Sequence, residues 1–434
     1  MHRRLLNASL LVGFFFGLDK VIALLRQRLV AQHFGLNPAL DAYNTANNLP
    51  DMLYAVIAGG SLAIAFIPVL SETLAREGRP RAWELFSLIA NLAVSVTAIL
   101  AALIALFPLP LVRWLIAPGY APAQQALVAD LMRLNLIATL LFSLSGLSTA
   151  ALQANQHFLL PACAPILYNV GQIIGVAFLS PQLGIHGLAY GVILGAALHL
   201  GIQLPGLVRY QFHWTPRLTV AHPGVQRVLG LIGPRLVTLG LINLIFIAND
   251  NLASRLGPGA VSALTYGWLI MQLPETVIGT ALGIALLPTL SELVARGERL
   301  ALQQLLRRAL LILALLLVPL TLASLALVGP AVRLVFEGRA FTAENSTAVI
   351  ITAQLFLLGL LGHSVVETAA RTFYAHQDAL TPLWLAALTL ALYAIFGLFL
   401  MRPLGFPGLA LANSLAFSIE AGSMLLILRR RQIL

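Results

Sequence analysis

LDKVIALLRQRLVAQHFGLNPALDAYNTANNLPDMLYAVIAGGSLAIAFIPVLSE, residues Leu18–Glu72, is the stretch whose reading decides the fold. It joins two apolar helical runs and holds most of the ionisable side chains that sit within or beside such runs. Asp19, Lys20 and Arg26 fall in the second half of the first run. Asp41 opens the second, and Asn44, Asn47, Asn48 and Asp51 follow it. An ionisable group at mid-bilayer costs about 2.5–3.5 kcal/mol on insertion scales, so such groups face a bundle interior or a water-filled cavity. The rest of the chain is more uniformly apolar. Its helices are expected to surround the cavity that these residues line.

The composition points the same way. Of 434 residues, 59% are hydrophobic and 10% charged, whereas a soluble domain carries about 25% charge. The reading is an all-α integral membrane protein. The net charge of +10 does not signal nucleic acid, because the basic residues, all arginine except Lys20, are scattered through short loops. The single cysteine, Cys163, excludes an intrachain disulfide and a cysteine metal cluster. The first apolar run after Arg3 and Arg4 is long enough to span and lacks a small-residue cleavage site, so no cleavable signal peptide is expected.

A spanning helix needs about 20 mostly apolar residues. Such runs centre on 5–26, 41–68, 84–107, 126–152, 160–180, 185–208, 228–250, 260–290, 307–328, 346–372, 381–401 and 408–428, which predicts about 12 transmembrane helices. With the N terminus cytoplasmic, inside segments hold sixteen arginines and outside segments seven. The bias places both termini inside. The chain also repeats itself. FIPVLSETLAR at 66–76 matches LLPTLSELVAR at 286–296, and Gly59 and Gly279 keep that offset of 220. QANQ at 153–156 matches YAHQ at 374–377, with Pro161 and Pro382 following. Two six-helix halves, 1–217 and 218–434, explain the pattern, with Arg209 to Pro223 as a basic cytoplasmic linker. Six spans each make the halves parallel, which predicts a pseudo-two-fold axis along the membrane normal and a working site between them.

Asp19 and Arg26 are seven apart and share a helix face, but two turns, about 10 Å, is too far for them to pair. Arg26 reads either as a cationic cavity lip for an anionic head group or as a snorkelling arginine at the outer helix end. Asp19 and Lys20, deeper in the helix, read as cavity-facing or as neutralising a structural neighbour. Asp41 reads as the N-cap of the second helix or as a functional group. Asn44, Asn47 and Asn48 make a polar stripe for interhelical hydrogen bonds or for sugar. In the second half Asn243, Asn249, Asp250, Asn251, Gln272 and Glu275 read as a wet helix end or as a coupling-ion site. Glu367 and Arg371 have ion-pair spacing and read as structural. HExxH, Walker and G-x-S-x-G signatures are missing, and His157, His213, His222 and His376 lack metal-like spacing, so no enzyme is expected.

The stretch from Asp19 to Glu72 resembles the first two helices of the MurJ (MviN) lipid II flippases. GPGAVSALTYGWLIMQLPETVIGTALGIALLPTLSE, residues 257–292, is similar to that family's eighth helix. The resemblance implies the multidrug/oligosaccharidyl-lipid/polysaccharide (MOP) exporter fold. It also implies transfer of undecaprenyl-pyrophosphate-linked peptidoglycan precursor from the cytoplasmic to the outer leaflet by alternating access, in cell wall biogenesis. By the same resemblance Arg26 falls on an essential cavity arginine, Asp41 on a functionally important aspartate, and Lys20 where another cavity arginine is usual. A lysine there keeps the charge and loses the bidentate fork. Other positions depart: the acidic residue after Arg26 is Gln27, an arginine pair reads Tyr54-Ala55, a glutamate reads Gly59, and an eighth-helix arginine reads Leu269. The family usually has fourteen helices, the last pair forming a groove for the lipid tail, where twelve runs are counted here.

The expected substrate-binding set is therefore Arg26, Lys20, Asp41, Asp19, Asn44 and Asn48. The expected cargo is lipid II or a related polyprenyl-pyrophosphate glycan, carried by a monomer in the bacterial cytoplasmic membrane, with membrane lipids around it and cell-wall synthesis proteins as candidate partners. No cofactor, metal or nucleic acid is expected; coupling to Na⁺, to a proton or to the membrane potential stays open. Two other readings also stay open. One is an exporter of drugs or of another lipid-linked glycan on the same fold, the other a transport-inactive paralogue that scaffolds cell-wall proteins.

Overall fold

The computed structural model describes residues 2–58 and 60–434. It gives side-chain surroundings for these except residues 2–13, 58, 60–64, 233–235, 237–238, 281 and 284–285. Gly59, named above, lies outside the described residues. The regular secondary structure of the described residues is α-helical, with short π-helical turns and one isolated bridge between Gly338 and Phe341.

Seven helices among the described residues are long and apolar enough to cross a membrane, and the pair Ala343–Leu357 and Leu360–Ala375, bent by 43°, makes an eighth. These eight match eight of the twelve runs. The other four runs are also helical where described. The first lies in one helix, His2–Phe34, which carries Asp19, Lys20, Arg26 and Arg28. The second passes through a π-turn at Tyr54–Ala58 and holds Pro68; the eighth passes through one at Glu275–Thr280 and holds Pro288. The seventh lies in the helix Pro223–Ala253.

The chain forms two compact units. The first comprises Met1–Phe34, Ala42–Leu115 and Ala121–Gly240. In it, Ile185–Gly201 packs on Leu159–Ile174 and on Pro122–Ala154. Small residues make the first of these contacts. Gly171 and Gly175 face Gly187, Gly191 and Gly195 so closely that a Cβ on any of them would strike the opposite backbone. Lipid tails are as apolar as leucine, so helices in a bilayer associate by such close packing rather than by the hydrophobic effect. Gly191→Val is expected to push the two helices apart and to cost about 2 kcal/mol, of the order found for overpacked cores. A thermal midpoint in detergent unchanged by this substitution would contradict the tight contact. At one end of the unit, Trp83, Phe86 and Phe212 meet edge to face with ring centroids 5.3–5.7 Å apart.

The second unit comprises Gly35–Asp41, Ile116–Tyr120 and Leu241–Leu434. Leu380–Leu404 and Leu360–Ala375 pack on Pro407–Arg430, and Ala260–Pro274 packs on Ala343–Leu357. Its chain end is tied down by Arg431, which donates to Asp378 Oδ2 at 2.6 Å and to Thr381 Oγ1 at 3.0 Å. Burial works to raise the Asp378 carboxyl, but hydrogen bonds from Thr381 and Arg431 outweigh it and hold it down at about 2. The unfolded carboxyl titrates near 3.9. The tie therefore contributes in full above about pH 4 and is lost as pH falls through about 2. Over that window the thermal midpoint of the native chain is expected to fall more steeply than that of Asp378→Asn; equal slopes would remove the assignment.

The sequence repeat has a backbone counterpart. Gln156 and Gln377 both adopt φ near +60°, as do Gln211 and Gln432, each pair 221 apart. Each glutamine ends a helix by the same turn. The following N–H reaches back five residues: His157 to Leu152, Phe212 to Leu207, Asp378 to Phe373 and Ile433 to Leu428. Gly184 and Gly405, also 221 apart, share φ values of 58° and 65°.

Candidate functional site

Helix His2–Phe34 presents Asp19, Lys20 and Arg26 from one element. Asp19 is half-buried, and its Oδ1 accepts from Asn169 Nδ2 of Leu159–Ile174 at 2.8 Å. Lys20 is exposed, with Nζ 5.2 Å from the centroid of the Phe16 ring. Arg26 is half-buried and within electrostatic range of the Tyr43 and Tyr168 hydroxyls, which Asp51 also reaches. Asp51 is exposed. The π-turn at Tyr54–Ala58 follows it directly. A π-turn holds one more residue than an α-turn and re-aims the side chains beside it.

Aromatic rings back this group. Phe142 lies 5.4 Å from Tyr54, 5.0 Å from Tyr168 and 5.4 Å from His199, centroid to centroid. His199 Nδ1 is 2.6 Å from Ser145 Oγ, which accepts from Gln203 Nε2 at 2.8 Å. The first unit therefore holds a wall of one cation, one exposed carboxyl and three tyrosines. Sequence reading found Arg26 and Asp51 but not the tyrosines. A lone tyrosine in an apolar helix looks like core, and only Tyr54 was marked, as the replacement of a family arginine.

The asparagine stripe divides. Asn47 serves as glue between helices: its Oδ1 accepts from Asn135 Nδ2 at 2.8 Å, and its own Nδ2 donates to Tyr43 O at 3.0 Å. Asn44 and Asn48 are half-buried in the same unit. Two further polar groups face the interior of that unit. Asn169 Oδ1 and Gln172 Nε2 are buried and have no hydrogen-bond partner among the described residues.

Asp19, Lys20, Arg26, Asn44 and Asn48 belong to the first unit, Asp41 to the second. It is fully buried. Its Oδ2 accepts from Gly259 N at 2.6 Å, and its Oδ1 accepts from Ser262 N at 2.8 Å and Ser262 Oγ at 2.7 Å. It thus caps the N-terminus of Ala260–Pro274, where unpaired N–H groups and the helix dipole favour a carboxyl. Its own helix, Pro38–Ala46, is capped instead by Asn37, whose Oδ1 accepts from Leu40 N at 2.8 Å. The reading of Asp41 as N-cap of its own helix is corrected accordingly.

In the second unit Asp250 is buried, and Asn249 bridges it to the fully buried Tyr393: Tyr393 Oη donates to Asn249 Oδ1 at 2.8 Å, and Asn249 Nδ2 donates to Asp250 Oδ1 at 3.1 Å. A wet helix end does not describe this cluster. Glu420, also buried, accepts from Thr389 Oγ1 at 2.8 Å. Glu367 and Arg371 pair as their spacing implies. Among the described residues no group of three or more His, Cys, Asp or Glu could hold a metal ion.

An all-α chain of several membrane-spanning helices, with Asp19, Lys20 and Arg26 on one helix and Asp51 just before a π-turn, has the form of a polytopic carrier. Its backbone is similar to that of a solved structure described as "Lipid II flippase MurJ, inward closed conformation", with a TM-score of 0.81 at 22% identity over 98% of this chain and 89% of that one. It is also similar to an inward-facing multidrug resistance MATE family transporter of the MOP superfamily, with a TM-score of 0.78 at 14% identity over 95% and 94%. The fold is thus shared with these two structures. The family model "Lipid II flippase MurJ" matches residues 30–434. The lipid II flippase MurJ of Burkholderia cenocepacia is 31% identical over 99% of this chain and 84% of its own length. The chain belongs to the MurJ family.

Proposed function

We propose that this protein flips lipid II, the lipid-linked peptidoglycan precursor, from the cytoplasmic to the outer leaflet of the bacterial inner membrane, in cell wall biogenesis. The observation that carries the reading is Arg26, a half-buried cation within electrostatic range of the Tyr43 and Tyr168 hydroxyls, in a member of the MurJ family. A planar guanidinium matches phosphate oxygens two at a time. Lys20, with its single ammonium, adds charge without that fork. Asp19, Asn44, Asn48 and the tyrosine hydroxyls offer the donors and acceptors that sugar and peptide groups need. Asn169 Oδ1 and Gln172 Nε2, which have no hydrogen-bond partner among the described residues, add to them.

The head group crosses in the wet cavity while the polyprenyl tail stays in lipid. Twelve spans in two six-helix halves, 1–217 and 218–434, would alternate access to the site as a monomer. Both termini lie in the cytoplasm, as the arginine bias favours. Coupling to Na⁺, to a proton or to the membrane potential would drive the cycle. The protein is a carrier rather than an enzyme, as its family is. The test is complementation: expressed in bacteria depleted of their own lipid II flippase, the chain restores precursor to the outer leaflet. Failure of rescue, with the chain confirmed in the membrane, would move the cargo to another polyprenyl-linked glycan.

A further inference from the structure

A cavity of about 520 Å³ opens in the first unit, away from Arg26. It lies within the range of small-molecule sites, about 300–1,000 Å³. Its apolar walls include Phe86, Leu144 and Leu207, from three helices, and Phe212 from the segment that follows them. That segment closes the cavity and is pinned by one side chain. Asn91 Nδ2 donates to Thr215 O and to Arg217 O, both at 2.8 Å, and Trp214 Nε1 donates to Asn91 Oδ1 at 2.8 Å. Arg217 lines the cavity and is exposed, and it has no ion-pair partner among the described residues. The lining contains no carboxyl group.

Depth selects the ligand. The apolar run 89–106 is about 27 Å long, close to the roughly 30 Å of hydrocarbon in a bilayer. Asn91 therefore stands at one border of the hydrocarbon, and Ser95, which also lines the cavity, lies about 6 Å inside it. A peptide could not take its backbone there, because lipid offers no partners for N–H and C=O groups. An acyl chain can. At the border Trp214 is 64% exposed and Leu218 63%, the amphipathic arrangement of the headgroup level.

We propose that this cavity binds one acyl chain of an anionic glycerophospholipid, whose phosphate Arg217 holds at the mouth. Bound there, the lipid fastens the segment after Leu207 to the helices beneath it. Assignment to the cytoplasmic leaflet rests on the orientation proposed above. The site itself does not, nor does it depend on the cargo.

The experiment uses the full chain in vesicles made with bromine-labelled acyl chains, which quench nearby tryptophans. The Trp214 signal is isolated by difference from Trp214→Phe. Brominated phosphatidylglycerol is expected to quench Trp214 with about five-fold preference over brominated phosphatidylcholine, the factor one arginine supplies near an anionic head group. Arg217→Gln abolishes the preference. Val94→Phe, which fills the cavity, lowers quenching by both lipids. Equal quenching by the two lipids, a preference that survives Arg217→Gln, or no quenching at all overturns the proposal. Vesicles with both leaflets alike report binding whichever way the chain inserts, so failure here is distinct from failure of lipid II transport.

Discussion

Replacing Arg26 by alanine is expected to abolish rescue of flippase-depleted cells while leaving the chain in the membrane at its normal level. Two observations set the size of the effect. Arg26 is the cation within electrostatic range of Tyr43 and Tyr168. Its neighbour Lys20 is exposed, over Phe16, and lacks the planar fork. A hydrogen bond to a charged group contributes about 1.5–3 kcal/mol. Losing a bidentate phosphate contact therefore weakens binding by about 3 kcal/mol, roughly a hundredfold. Arg26→Lys keeps the charge and should recover part of the activity. Full transport by Arg26→Ala would leave the arginine as a snorkelling helix end and remove it from the site.

The second large effect falls on stability. Asp41→Ala leaves Gly259 N, Ser262 N and Ser262 Oγ without the acceptor they share, at a residue with no exposure. Each buried donor stranded in this way costs about 1–3 kcal/mol, so a loss of about 3–5 kcal/mol is expected, in the range found when a buried polar partner is removed. Asp41→Asn retains one oxygen and should lose less. The measurement is the unfolding midpoint of the full chain in detergent for all three proteins. If Asp41→Ala unfolds with the native chain, the three bonds carry no stability and the capping role is wrong.

Much of this molecule was legible in its sequence. The apolar runs gave the membrane class, and eight of the twelve are helices long enough to span. The repeat was legible through LSE and the two glutamine turns, because a left-handed helix end constrains residues that burial alone would leave free. The π-turns in the second and eighth runs were not. A π-turn differs from an α-turn by one residue and has no composition of its own. Within the site, charged and amide residues stood out because lipid makes them expensive. Tyr43, Tyr54 and Tyr168 did not, since a phenol is at home in an apolar helix until its hydroxyl is seen within range of charged groups. Asp41 was misread for a different reason: its ligands lie more than two hundred residues away, and local capping rules see only one turn.

The contact of Asp41 with Ser262 spans 221 positions. A chain grows from its N-terminal end, so Asp41 is made long before Gly259 and Ser262 exist. Until they do, its carboxyl has none of the donors it will later accept from, and burying it would cost several kcal/mol. The clasp therefore closes late, and until then this carboxyl has to stay in contact with water.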